Sequence, residues 1–293
     1  MRAEIEQAVQ LLGRKDPKAL EHALALLQDT VFSFSMKVCG QREDAEDIMQ
    51  EVLMKSVRFL PQFENSKALA VWLYKVARNR CLMSRRTSKF APKEKLSLDN
   101  LMPDGRELAA LAGASGETPE LGVMRAQDAE HLQAIVRQLP PAHRLVLVLH
   151  DMEGLSDQEI AEILRIRAGT VRVRLHRARL FVRKELAKPK GRRRQRLSPA
   201  AALPKRAPHR SGRCKAMFAE LSDYLDEALD DSLCRELEKH MSGCRPCRGF
   251  LSSLEETIRD CRKTPDAVPD AKKAGSMRRA ALSELKRVAT ASA

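Results

Sequence analysis

Two stretches without apolar periodicity, 87–124 and 188–213, cut this 293-residue chain into three helical blocks, so that a single large fold is not required. The first is punctuated by Pro92, Pro103, Gly105, Gly113, Gly116 and Pro119. The second, KPKGRRRQRLSPAAALPKRAPHRSGR, has ten basic residues, four prolines and no acid. Neither composition buries a core, so both predict connectors, over 91–125 and 188–213, the second basic and disordered. Outside them apolar residues recur at helical spacing: Ile48, Met49, Val52, Leu53 and Val57, then Leu69, Trp72, Leu73 and Val76, inside a first domain over 1–90. A second helical block spans 126–187. A third spans 214–262, with Met217, Phe218, Leu221, Leu225 and Ala228 as one apolar stripe. Residues 263–293 read as a mostly disordered tail with a short helix near 276–288. Aromatics are only 4% of the chain, and Leu, Ala, Arg, Glu and Lys favour helix, so the expected class is all-α.

Lys and Arg exceed Asp and Glu by 53 to 39, a net charge of +14, which points first to a polyanionic partner. No apolar run approaches the roughly 20 residues that span a bilayer, and MRAEIEQAVQ carries acids where a signal peptide has its apolar centre. A cytoplasmic protein without a membrane partner is expected. Seven cysteines, an odd number, argue against a disulfide framework.

Five of those cysteines lie between 214 and 261, and HMSGCRPC sets His240, Cys244 and Cys247 in a His-x3-Cys-x2-Cys array. A Cys-x2-Cys turn presents two thiolates to one metal, and a histidine four residues earlier at a helix end adds a third ligand. The expected cofactor is one zinc ion, with Cys214 as fourth ligand and Cys234 and Cys261 as alternatives. The rival chemistry is a redox dithiol at Cys244 and Cys247, or a disulfide from Cys214 to one of them. A catalytic zinc needs an acid or base in a pocket, and so small a domain offers none, so no enzyme is expected.

In LSDQEIAEILRIRAGTVRVRLHRARLFVRKEL, Ser156 and Glu159 make a capping box that starts a helix running to about Leu164. Gly169 is placed in a short turn, and a second helix starts at about Thr170. Val171, Leu175, Ala178 and Val182 form its core stripe, leaving Arg172, Arg174, Arg177 and Arg179 on the remaining surface. Two short helices with an arginine-rich second member fit a helix-turn-helix in a major groove.

In the first domain, REDAEDIMQEVLMKSVRFL gives one helix an acidic and polar face of Glu46, Asp47, Gln50 and Glu51, suited to a basic protein surface and not to DNA. The next, AVWLYKVARNRCLMSRR, mixes Trp72 and Tyr74 with Arg78, Asn79, Arg80, Arg85 and Arg86, a set that supports an opened DNA strand by stacking and phosphate contact. Core packing is the plainer role for Trp72.

These segments resemble the two domains of extracytoplasmic-function sigma factors, the small sigma-70-type subunits of bacterial RNA polymerase. LPPAHRLVLVLHDMEGLSDQEIAEIL with GTVRVRLHRAR is similar to sigma domain four, and the resemblance implies that Thr170, Arg172, Arg174 and Arg177 contact the minus-thirty-five promoter element. AEDIMQEV and the ARN motif are similar to sigma domain two, implying that the acidic face over 46–51 binds core RNA polymerase and the following helix opens the minus-ten element. Val173 stands where the family often has serine, and Met83 where it commonly has aspartate. The order Cys214, SDYLDEAL, His240, Cys244, Cys247 resembles a zinc-binding anti-sigma domain, which clamps sigma domains. Residues 214–258 carry five basic and ten acidic groups, a net of −5, so docking in cis on the basic helices is electrostatically reasonable. The expected function is promoter-specific transcription initiation with core RNA polymerase and promoter DNA, regulated by this fused domain. The alternative is a DNA-binding regulator or decoy whose zinc domain captures another protein.

Overall fold

The structure, a computed structural model, describes residues 3–14, 16–56, 59–60, 63, 65–86, 96–103, 107, 126–188 and 212–291. Among these residues all regular structure is helical. The basic connector over 188–213 lies almost wholly outside them, as do Val57 and most of 91–125. The chain divides into two compact units, one of Met1–Lys93, Pro140–Val171 and Thr264–Ala293, the other of Glu94–Leu139 and Arg172–Lys263.

In the first unit α1 (Ala3–Leu12), α2 (Pro17–Cys39), α3 (Arg42–Ser56) and α4 (Ser66–Arg86) pack around Ile5, Leu24, Leu27, Phe32, Ile48 and Met49, all nearly inaccessible. Asp16 caps α2 by accepting from the Ala19 amide at 3.0 Å, Pro17 opens the helix, and Gly40 at φ 77° closes it in the left-handed region that glycine adopts at no steric cost. α7 (Pro141–Leu147), continued by a π-helical turn to Met152, and α8 (Asp157–Leu164) belong to the same unit. A buried polar network joins these pieces. Lys37 Nζ contacts Glu153 Oε1 at 3.1 Å and Asp266 Oδ1 at 2.9 Å, while the Tyr74 hydroxyl donates to Glu153 Oε2 at 2.6 Å. Tyr74 is therefore a core residue, set edge-on to Phe34.

The capping box forms as the sequence predicts: the Ser156 hydroxyl accepts from the Glu159 amide and the Glu159 carboxylate accepts from the Ser156 amide. The turn differs. α9 spans Ala168–Leu186, so Gly169 lies within its first turn, where an added Cβ meets nothing within 4 Å. The residue that reverses the chain is Arg165, at φ 54°.

The tail also departs from expectation. Residues 264–270 lead without regular structure into a helix, α13 (Ala271–Ala291), well beyond the short helix expected over 276–288. Among its described side chains the buried ones are the small Ala274 and Ala281, and polar contacts add to them: Lys273 to Glu46, Arg278 to Gln28 at 3.0 Å, and, from the segment before the helix, the Val268 carbonyl to Arg42 at 3.3 Å.

The second unit holds the rest of α9 with α10 (Gly212–Leu225), α11 (Asp231–Gly243) and α12 (Arg245–Arg262), together with α5 (Leu98–Leu101) and α6 (Ala126–Gln138). Its core gathers Leu180, Phe218, Leu221, Leu237, Phe250 and Leu254. Leu101 and Met102 join this core although they fall in the stretch expected to be a connector, because LSLDNLM supplies apolar side chains between the breakers. Ala228 leaves the expected stripe: α10 ends at Leu225 and Ala228 is exposed.

Candidate metal, nucleic-acid and polymerase sites

The metal-type cluster is built from three helix ends. Cys214 lies in the first turn of α10, His240 in the last turn of α11, Cys244 at the junction that follows, and Cys247 in the first turn of α12. Their ligand atoms lie within 4.8 Å of one another. His240 Nε2 is 3.6 Å from Cys214 Sγ and 3.2 Å from Cys247 Sγ, and the Cys244 and Cys247 sulfurs are 3.3 Å apart, unbonded. Tetrahedral zinc, with Zn–S near 2.3 Å, sets ligand atoms roughly 3.7 Å apart, so small shifts seat the ion. Burial, then the hydrogen bond with Cys244 and the nearby Cys214, push the Cys247 thiol above its usual range. A site that has to hold these sulfurs as thiolates therefore calls for a cation. Cys234 and Cys261 stand outside the cluster.

α9 carries its core stripe as predicted, with Val171, Leu175, Ala178 and Val182 at 0–1% exposure. Thr170, Arg172, Arg174 and Arg177 are half-buried, and Val173 is exposed. Arg179 corrects the sequence reading, which left it on the surface. It is fully buried, donates to Ser222 Oγ at 2.7 Å, and makes a two-pronged pair with Asp226 at 2.6 and 2.9 Å. Arg183, one turn on, is buried against Glu107 and Ser253, its guanidinium 4.1 Å above the Phe250 ring centre. His176 on the same helix is held down at about 4, first by burial and then by Arg179 and Arg177, so it is neutral. No local pattern in the sequence distinguishes these two arginines from their neighbours, since their partners lie 43 to 76 residues away.

On α4, Arg78 donates to Asn79 Oδ1 at 3.1 Å and to the Ile163 carbonyl at 3.5 Å, and the exposed Arg80 pairs with Glu51 at 2.7 Å. Arg85 and Arg86 close the helix, with side chains outside the described residues. Trp72 sits between Phe59 and Phe63, with ring centres 5.7 and 5.8 Å away. On α3, Asp47 and Gln50 are exposed, and Glu51 also pairs with Lys55 at 2.6 Å. Glu46 differs from the other members of its acidic face. It is buried, bonded to Arg42 at 3.1 Å and to Lys273 at 2.6 Å. The Lys273 hydrogen bond, backed by Arg42, holds its carboxyl below the usual carboxylate range although burial pushes the other way.

Family models match over most of the helical blocks: Sigma-70 region 2 over residues 24–90, Sigma-70 region 4 over 129–182, and a zinc-finger family over 214–248. The chain is 29% identical over 186 residues to the ECF RNA polymerase sigma factor SigW of Bacillus subtilis, covering 64% of this chain and 98% of that protein. It is 30% identical over 147 residues to the RNA polymerase sigma factor YlaC of the same organism, covering 50% of this chain and 79% of the relative. The chain belongs to the extracytoplasmic-function sigma factors. As a sigma factor it directs promoter-specific transcription initiation, and its third block adds an anti-sigma-like zinc-finger domain that fits a regulatory role. Among the described residues no helix of the sigma factor is long and apolar enough to cross a membrane.

Proposed function

We propose that the C-terminal region of this sigma factor acts in cis as an inhibitor: the zinc domain docks on α9, and α13 covers part of the polymerase-binding face of α3. The observation that carries the reading is the ion pair between Lys273 and Glu46 at 2.6 Å, which engages a residue of the acidic face that core RNA polymerase would bind. The pairing of Arg179 with Asp226 supports the α9 contact, because a buried guanidinium needs a buried or half-buried carboxylate to offset its desolvation. The reading keeps Asp47, Gln50 and Glu51 as the rest of the polymerase face. It assigns Arg78, Asn79, Arg80, Arg85 and Arg86 to the minus-ten element, and Thr170, Arg172, Arg174 and Arg177 to the minus-thirty-five element. Cys214, His240, Cys244 and Cys247 would hold one zinc ion, which supplies a cross-link between three helix ends and no open coordination position for chemistry.

The test is transcription from a selected promoter by core RNA polymerase with the full chain and with Lys273→Glu. Reversing this charge sets two carboxylates against each other and releases α13, so transcription is expected to rise about fivefold or more. An unchanged or lower output would remove the inhibitory role of α13. Because the Glu46 carboxyl is held below its ordinary value, its contribution to this docking is full at neutral pH and is lost as the pH falls through that lowered value.

A further inference from the structure

The surface of α9 is divided along its length. At about 100° per residue, Val173 lies roughly 200° round the helix from Val171, directly opposite the core stripe. Leu180 lies in nearly the same direction about 10 Å further along the axis, yet it is completely buried in the core with Phe218 and Leu221. The zinc-domain helices therefore cover the outward face of α9 only in its later turns. Val173 is 51% exposed, and among the described residues it is the exposed large apolar side chain of this helix. Arg172 and Arg174 stand about 100° to either side of it, on a chain of net charge +14.

We propose that Val173 reads the 5-methyl group of a thymine in the major groove of the upstream promoter element. The inference rests on the reading of α9 as the DNA-contacting helix. Three features support it. The methyl of thymine is the apolar group that the major groove presents, and short aliphatic side chains recognise it by contact. A recognition helix meets base edges with its N-terminal residues, and Val173 is in the second turn of α9. A β-branched side chain on a helix has one strongly preferred χ1 rotamer, so ordering it against a base loses little freedom. Arginines on either side secure the backbone phosphates, while the isopropyl group adds selectivity at one base pair.

The test starts from duplexes selected out of a random pool by the full chain. Each thymine of the selected sequence is then replaced in turn by deoxyuridine, which lacks only the methyl group, and Kd is measured at fixed salt for the unmodified protein and for Val173→Ala. One position is expected at which loss of the methyl weakens binding of the unmodified protein about fourfold, the effect of one buried apolar carbon. Val173→Ala should bind the thymine and uracil duplexes there equally. Because the side chain is half exposed, helicity and thermal stability should match in the two proteins. If uracil replacement has the same effect in both proteins at every position, the assignment of Val173 is overturned while DNA reading by α9 stands. If no sequence is enriched, that reading fails and the proposal falls with it.

Discussion

Stripping the metal from the C-terminal domain is expected to unfold α11 first and then the packing of α10 on α12. α11 buries only Leu237 and Met241, so its position depends on the ligands at its C-terminal end. Structural zinc in small domains contributes an apparent free energy of about 10–16 kcal/mol, well above what a core of this size supplies. The expected results are one zinc per chain, its loss in Cys247→Ser, and a fall in helical circular dichroism confined to about the three helices of this domain. The same variant should leave Arg179 without an ordered Asp226, and transcription should rise with it. A chelated chain of undiminished helicity would show that the hydrophobic contacts alone hold the domain and that the metal is dispensable.

The second large effect belongs to Lys37. Its ammonium and the Glu153 carboxylate are 3% and 0% exposed, so replacing Lys37 by methionine takes the ammonium away from a carboxylate deep in the first unit and leaves the Tyr74 hydroxyl bond in place. Breaking one side of a buried pair costs about 3–5 kcal/mol, whereas removing both charges is close to neutral. Lys37→Met should lower stability to chemical denaturation by that amount, and Lys37→Met combined with Glu153→Gln should recover most of it. A single variant as stable as the parent would mean that the surroundings of Glu153 compensate without the lysine. Asp266, half exposed at 46%, is the weaker partner, and Asp266→Asn should cost much less.

What was legible in the sequence was local. The capping box is written in four consecutive residues, and the α9 core stripe in one helix period, so both appear where expected. The metal cluster was equally open to reading, because His240, Cys244 and Cys247 share one helix junction, and Cys214 remained among the free cysteines of the same block. The buried state of Arg179 and Glu46 was not legible. Each sits among like-charged neighbours on a polar helix face, and a partner that buries it, Ser222 for Arg179 and Lys273 for Glu46, lies 43 or 227 residues away. The length of α13 escaped for a different reason: its first turns, AKKAGS, offer only small apolar side chains, and long-range contacts of Lys273 and Arg278 hold that end.

The segregation of α9 into an exposed early stretch and a covered later one has a consequence for how such a protein diversifies. On the proposed assignment of Val173, Arg174 and Arg177 to promoter DNA, these three can be exchanged while Arg179 and Arg183, buried against the fused domain, are kept. On that reading, duplicated copies of the gene can acquire separate sets of target promoters while each keeps the proposed cis inhibitor, matched to it by covalent linkage and by the two arginines buried under the fused domain.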